Sequence, residues 1–446
     1  MPHPAGPRPF SPQVEAELPS ATATTAATAA TPMRFTTQQF VKETLLRMPV
    51  EVIGNILKEW VKLEWFAPAV ARRICRLLKE ITDSSPYLWS KLFLPGTQRV
   101  YPDHIRQWQS RAKAAPREVL IGVNGHNHTS AALEPCDHIT TLIYNNDWES
   151  SGEQIRLPRY MPQLRYLRVD TRLGDKFLGW WNTSAFRERS YNSGFPCLTV
   201  LQLSAVDLTG FRLVPGLFPT VLHLFLGEVR GPIRDLVEAC SDTVEELRIN
   251  LCLPECTYSH IPIALPSLKV LIYNFPGDAF WFNAPALRLI QGNLKDVFGL
   301  TRPLNSVVEW ITCNTCEVAD ITIYLFNMPQ LQRLMICESV ETLVECFEFL
   351  RDYATVCPNL ELIEVVENAW RLTVVRLDAN VKEYLEACVA RRAETVPGFT
   401  LQFVHEDIQM TWIWRYGKTH VCSFSIMRHY LSYNDARPIM TPLRTP

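Results

Sequence analysis

The chain has 446 residues, 47% of them apolar, with 21 Phe, 12 Trp, 14 Tyr and a formal net charge of −2. That much apolar material excludes a globally disordered chain, and the lack of a basic surplus excludes binding dominated by nucleic-acid phosphates. The length fits several domains or one long repeat array better than a single core.

The 13 cysteines are odd in number and scattered, which fits reduced thiols in a cytoplasmic or nuclear protein rather than a disulfide framework. The opening MPHPAGPRPF lacks the apolar core of a secretory signal, and no stretch nears the roughly 18 uninterrupted apolar residues of a membrane span.

Residues 1–33, rich in Pro, Ala and Thr, read as a disordered tail. From Thr36 to Leu94 the pattern turns helical. Pro49 starts a helix whose apolar face is Val52, Ile53, Ile56, Leu57 and Trp60. A second helix over Ala67–Ile81 presents Val70, Ile74, Leu77, Leu78 and Ile81, and a third opens at Ser84 or Ser85 and carries Leu88, Trp89 and Leu92. Three short helices bury little alone, so this module gains by docking. Residues 95–135 read as a helix with Ile105 and Trp108 inward, then a strand through Val119, Ile121 and Val123.

Over residues 136–398 an apolar-x-x-apolar-x-apolar motif recurs. It starts at Ile139, Leu164, Leu198, Val221, Val244, Leu268, Val308, Leu331 and Leu360, with a weaker copy at Leu287, in steps of about 19 to 34 residues. Prolines introduce several copies, as in MPQ, FPC, FPT, LPS and CPN. The spacing brackets that of leucine-rich repeats. It predicts an α/β solenoid in which short parallel strands stack into a curved sheet, with outer helices such as ETLVECFEFLRDYA. Residues 399–434, with Trp412, Trp414 and Tyr416, are expected to cap the open end, and 435–446 form a loose tail.

Two clusters invite a metal reading. Cys313-Asn-Thr-Cys316 has the spacing of half a zinc site, but the repeat phase makes Cys313 an inward strand residue and puts Cys316 at the turn, as Cys252 and Asn368 are in their repeats. His126, His128, Cys136 and His138 could ligate zinc, yet Ser, Asn and Gly around them mark a solvated turn. No G-x-S-x-G, P-loop, G-x-G-x-x-G or H-E-x-x-H is present, so neither catalysis nor a cofactor or metal is expected. The residues between the inward ones are Arg168, Gln202, Phe225, Arg248, Ile272, Gln291, Thr312, Met335 and Glu364. This mixed row suits a protein or peptide target.

Residues Leu45 to Ile53, then Ile56-Leu57, Ala71-Arg72-Arg73-Ile74-Cys75-Arg76 and Ser84-Ser85-Pro86-Tyr87-Leu88-Trp89, match in order and spacing a motif of about fifty residues. That motif is the F-box, with Met48 here in place of the usual leucine. With Gln107 to Arg111 and Ala115-Pro116 following, the chain resembles fungal F-box proteins with degenerate leucine-rich repeats. The resemblance implies a substrate-recognition subunit of a Skp, cullin and F-box type ubiquitin ligase. Its docking residues on the Skp-family adaptor would be Met48, Pro49, Val52, Ile53, Ile56 and Leu57, with Ile74, Cys75, Leu88 and Trp89 in or near the contact. The alternative is a noncatalytic binding scaffold whose F-box-like segment only caps the repeats.

Overall fold

The computed structural model describes residues 47–94, 102–122, 129–145, 158, 160–170, 194–208, 218–250, 253–254, 261–274, 281–292, 304–312, 318–336, 340–367, 379–405, 410–415 and 418–422. The chain divides into two compact units, Met1–Ile53 and Gly54–Pro446, with the boundary inside the first described helix.

In the first unit the described residues are 47–53. Pro49 lies just outside helix α1 (Val50–Leu63), and its carbonyl accepts from the Val52 and Ile53 amides at 3.0 and 3.1 Å. A proline at this point gives up no helical hydrogen bond, because the first amides of a helix have no intrahelical acceptor.

The second unit carries α2 (Ala67–Ile74) and α3 (Arg76–Ser84), a 3-10 turn at Pro86–Trp89, β1 (Lys91–Leu94), α4 (Pro102–Ala112), β2 (Arg117–Ile121) and α5 (Thr129–Leu133). The single helix expected over 67–81 is thus two helices. Cys75 stands between them in extended backbone, φ −155° and ψ 167°, and neither proline nor glycine marks the break.

Further strands are β3 (Ile139–Asn145), β4 (Tyr166–Asp170), β5 (Val200–Ser204), β6 (His223–Gly227), β7 (Arg230–Gly231), β8 (Glu246–Asn250), β9 (Leu253–Pro254), β10 (Ile263–Ala264), β11 (Val270–Asn274), β12 (Phe282–Asn283), β13 (Leu289–Gly292), β14 (Glu309–Ile311), β15 (Arg333–Ile336), β16 (Leu362–Glu367), β17 (Thr400–His405), β18 (Met410–Arg415) and β19 (Lys418–Cys422). The later helices are α6 (Ile233–Ala239), α7 (Val318–Phe326), α8 (Val340–Asp352) and α9 (Ala379–Thr395). One α/β sheet of 15 strands results. The thirteen from β1 to β17, without the short β7, β9, β10 and β12, are parallel, and β18 and β19 close it antiparallel. The four short strands form two small parallel pairs, β7 with β9 and β10 with β12, where outer helices were expected.

Five strands are launched by the same device. The amide of the first motif residue bonds the carbonyl three residues back: Leu164 to Met161, Leu198 to Phe195, Leu268 to Leu265, Leu331 to Met328, Leu360 to Cys357. The residue after each accepting carbonyl is proline in all five. Proline presets the backbone for the second position of such a turn and needs no donor there. Met161, Phe195, Leu265 and Met328 are fully buried, so the apolar repeat reaches three residues further upstream than the motif suggests. A ladder of shared acceptors then fixes the register. Arg165 O takes the amides of Thr199 and Val200, Thr199 O those of Leu222 and His223, and the pattern continues to Gln332 O with Glu361 and Leu362.

Alternation does the rest: Leu167, Val169, Leu201, Leu203, Leu224, Leu247 and Ile249 face the core, while the residues between them line the other, open face. Helix α7 packs on the core face through Tyr324 against Trp310, and α8 through Phe347 against Phe399.

At Gly292 φ is +131°, and a Cβ there would run into the Tyr273 carbonyl of the neighbouring strand. Gly292→Ala should therefore destabilise by about 1–3 kcal/mol at least, whereas Gly54→Ala, in a helix with open space around the position, should stabilise by about 0.5–1 kcal/mol. Denaturant midpoints of the two variants moving in the same direction would contradict this.

Candidate functional site

Eight of the thirteen exposed large hydrophobic side chains among the described residues fall between Val50 and Tyr87. In the first unit, Pro49, Val50 and Val52 are exposed, Met48 is half-buried and Ile53 is buried.

In the second unit, helix α1 exposes Ile56 (48%) and Leu63, seven residues apart and so on one stripe. Phe66, Val70 and Ile74 (50%) follow at four-residue spacing and form a second stripe along α2, with Tyr87 exposed beyond them. Ala67, Pro68 and Ala71 fill the buried side of α2. Cys75 is half-buried.

Three expected docking residues of this unit are interior ones. Leu57, Leu88 and Trp89 are 3%, 2% and 1% exposed, because they hold the helices together instead of facing solvent. Trp89 Nε1 donates to Thr82 O at 2.9 Å, and the Trp89 carbonyl accepts from Trp108 Nε1 at 2.7 Å. The two indoles meet edge to face at 4.8 Å, and the Arg111 guanidinium lies 4.6 Å from the Trp89 ring centre. Asp83 pairs with Arg72 at 2.7 Å and lies 3.7 Å from Arg111, and Trp65 packs on both Trp108 and Phe93 of β1. The helical segment is therefore joined through α4 to the first strand of the sheet. Burial lowers the Arg111 pKa, Arg72 adds to the effect and Asp83 opposes it.

On the open face the strand register aligns Phe93, Leu120, Ile143, Arg168, Gln202, Phe225, Arg248, Ile272, Gln291, Ile311, Met335, Glu364 and Gln402 in one row. Eight of the nine expected face residues lie in it. Thr312 does not: the row passes through Ile311, and Thr312 is 1% exposed. Trp310, paired with Ile290 and Leu334, is the core residue of that repeat, so its motif starts at Val307, one residue before the expected Val308. Ile311, Met335 and Glu364 are in the row but buried, so its continuous accessible length runs from β1 to β13.

Within that length one cluster combines charge and an aromatic. His223 Nδ1 is 2.9 Å from Glu246 Oε2, Arg248 Nε donates to Glu246 Oε1 at 2.7 Å, and the guanidinium sits 4.9 Å from the Phe225 ring centre. Burial alone would raise the Glu246 carboxyl. The bonds from His223 and Arg248, with the Arg248 charge, outweigh that and hold it below the usual carboxylate range. The ionised carboxylate accepts only, so the histidine keeps a proton on Nδ1. Nearby, Arg168 pairs with Asp170 at 3.0 Å and Tyr166 donates to Gln202 at 3.2 Å, and burial pushes the Tyr166 hydroxyl up. Arg333 bridges Glu309 and Glu364 at the covered end.

Of the metal candidates, His126, His128, Cys313 and Cys316 lie outside the described residues, as do Cys252 and Asn368. Cys136 donates to Tyr160 O at 3.1 Å, and burial pushes its thiol up. Among the described residues no three metal-ligating side chains are grouped, and no helix is long and apolar enough to cross a membrane.

No protein-family model matches this chain, and no curated protein matches it.

Proposed function

We propose that the chain is a substrate-recognition subunit of a ubiquitin ligase of the Skp, cullin and F-box type, in which a helical F-box precedes an irregular leucine-rich-repeat solenoid. The observation that carries this reading is the exposure of Ile56, Leu63, Phe66, Val70 and Ile74 along two consecutive helices and the turn between them. Monomeric proteins rarely leave apolar side chains so concentrated unless a partner covers them. The partner is a Skp-family adaptor and, through it, a cullin. The accessible row from Arg168 to Gln291, with the His223, Phe225, Glu246 and Arg248 cluster, offers a protein target both an aromatic anchor and paired charges. No cofactor takes part, and the chain does no chemistry itself.

The second reading is a scaffold in which the same helices only close the first edge of the sheet. Burial of Leu57, Leu88 and Trp89 favours it, since these residues serve the interior. The two readings part on the exposed stripes. Co-expression with a Skp-family adaptor should give a complex with the wild-type chain, and Ile56→Asp with Ile74→Asp should weaken it by roughly tenfold or more while the unfolding midpoint stays put. A wild-type chain that purifies without the adaptor, or a variant that still holds it, would give the scaffold reading the lead.

A further inference from the structure

On the side of helices α7 and α8 away from the sheet, Phe326, Phe349 and Tyr353 pack on one another with ring centres 5.0 to 5.1 Å apart. The cluster is not a core. Phe326 is 53% exposed, Tyr353 50% and neighbouring Ile323 39%, whereas Leu343, Cys346, Phe347 and Leu350 of the same helix α8 are buried against the sheet. Neither the proposed adaptor contact nor the open-face row uses these rings.

The flank of the patch has a sign. Taking 100° per residue along α8, Glu345 and Asp352 fall within about 60° of Phe349 and Glu348 within about 100°, all on the side opposite the buried residues. All three carboxylates are exposed, and Arg351, the one basic residue of α8, pairs with Asp352 at 2.9 Å. Three rings at this separation are too close to admit a cation between them, so the acidic edge is not part of an aromatic cage. It stands beside an apolar surface, as charge does at the rim of a protein contact.

We infer that this patch is a docking site for an amphipathic protein segment whose apolar anchor sits on Phe326, Phe349 and Tyr353 and whose lysines or arginines meet Glu345, Glu348 and Asp352. A second copy of the chain is the poorer occupant, because a symmetric contact through this patch would bring two acidic edges together.

The test titrates the full chain with two labelled amphipathic helical peptides of equal length, one of leucine and lysine, the other of leucine and glutamate, each carrying a photo-crosslinker. The lysine peptide should bind, lose affinity as salt rises and cross-link within residues 318–353. Its affinity should fall by roughly tenfold or more in Phe326→Ser with Tyr353→Ser, and about threefold in Glu345→Gln with Glu348→Gln. Cross-links confined to other segments, unchanged affinity in both variants, or equal binding of the glutamate peptide would overturn the inference. So would a dimer in sedimentation velocity that the two serines abolish, which would make a second copy the occupant. None of these readouts involves the Skp-family adaptor.

Discussion

Trp89→Ala is expected to lose about 3–5 kcal/mol of folding stability, among the largest effects a single side chain here can produce. The ring is 1% exposed and sits where four elements meet: the Thr82 carbonyl of α3 accepts from its Nε1, Trp108 and Arg111 of α4 pack against it, and Arg72 of α2 lies 6.0 Å from its centre. Truncation removes the buried area and leaves a cavity, strips the Thr82 carbonyl of one of its two donors, leaving the Ser85 amide at 3.3 Å, and removes both guanidinium contacts at once. Trp89→Phe restores most of the volume without the donor, so it should recover all but about 1–2 kcal/mol. Chemical denaturation of the full chain measures both. Hydrogen exchange should localise the loosening to residues 67–121, the stretch from α2 through β2. Equal protection there in wild type and Trp89→Ala would refute the idea that this indole joins the helical segment to the sheet.

Arg392→Leu should cost a comparable amount, about 3–5 kcal/mol, for a different physical reason. Arg392 is on α9, only 5% exposed, and no carboxylate pairs with it among the described residues. Its guanidinium instead donates to three carbonyls in the turn that follows α8: Ala354 and Val356 at 3.0 Å each, and Cys357. These are carbonyls of a turn rather than of a helix, and leaving such acceptors without their charged donor costs about 1–3 kcal/mol. Burial lowers the Arg392 pKa, partly offset by the neighbouring Cys357 thiol, which burial in turn pushes up to about 12. Arg392→Lys should recover less than half of the loss, because an ammonium cannot span three acceptors held in a planar fork. The penalty should hardly change with salt, since the bonds are out of reach of ions. A loss that shrinks with added salt would point to a surface ion-pair role instead.

How far these features are readable beforehand depends on which interaction decides them. The strands follow from local pattern, because Leu164, Leu167 and Val169 and their counterparts must alternate to bury one face. Where two frames satisfied the same pattern, local reading chose wrongly. In VVEWIT both valines can begin the motif, and only the bond from the Val307 amide to Leu304 O, with Trp310 on the core side, settles the frame. The interruption at Cys75 carries no breaker residue and is imposed by packing. The helical segment illustrates a further limit. Periodicity shows that α1 and α2 have apolar stripes but cannot say which stripe meets the interior. The pattern thus makes Ile53, Leu57, Leu88 and Trp89 equivalent to Ile56 and Ile74, although the structure buries the first four and exposes the other two. Leu63, Phe66 and Tyr87 were not singled out, and no spacing rule distinguishes them from core residues. The aromatic cluster at Phe326, Phe349 and Tyr353 joins residues from two helices and was legible only once those helices were side by side.

The shared-carbonyl ladder sets how this chain can change length. Core residues Leu167 and Leu201 are 34 positions apart, Leu271 and Ile290 only 19, yet each pair sits directly opposite across its two strands. Register is held by the turn before each strand and by one acceptor on the strand alongside, so the span between consecutive strands carries no information about alignment. Material can be added to or removed from such a span without displacing the next strand. Novelty can therefore accumulate in the connections while the face they frame keeps its spacing.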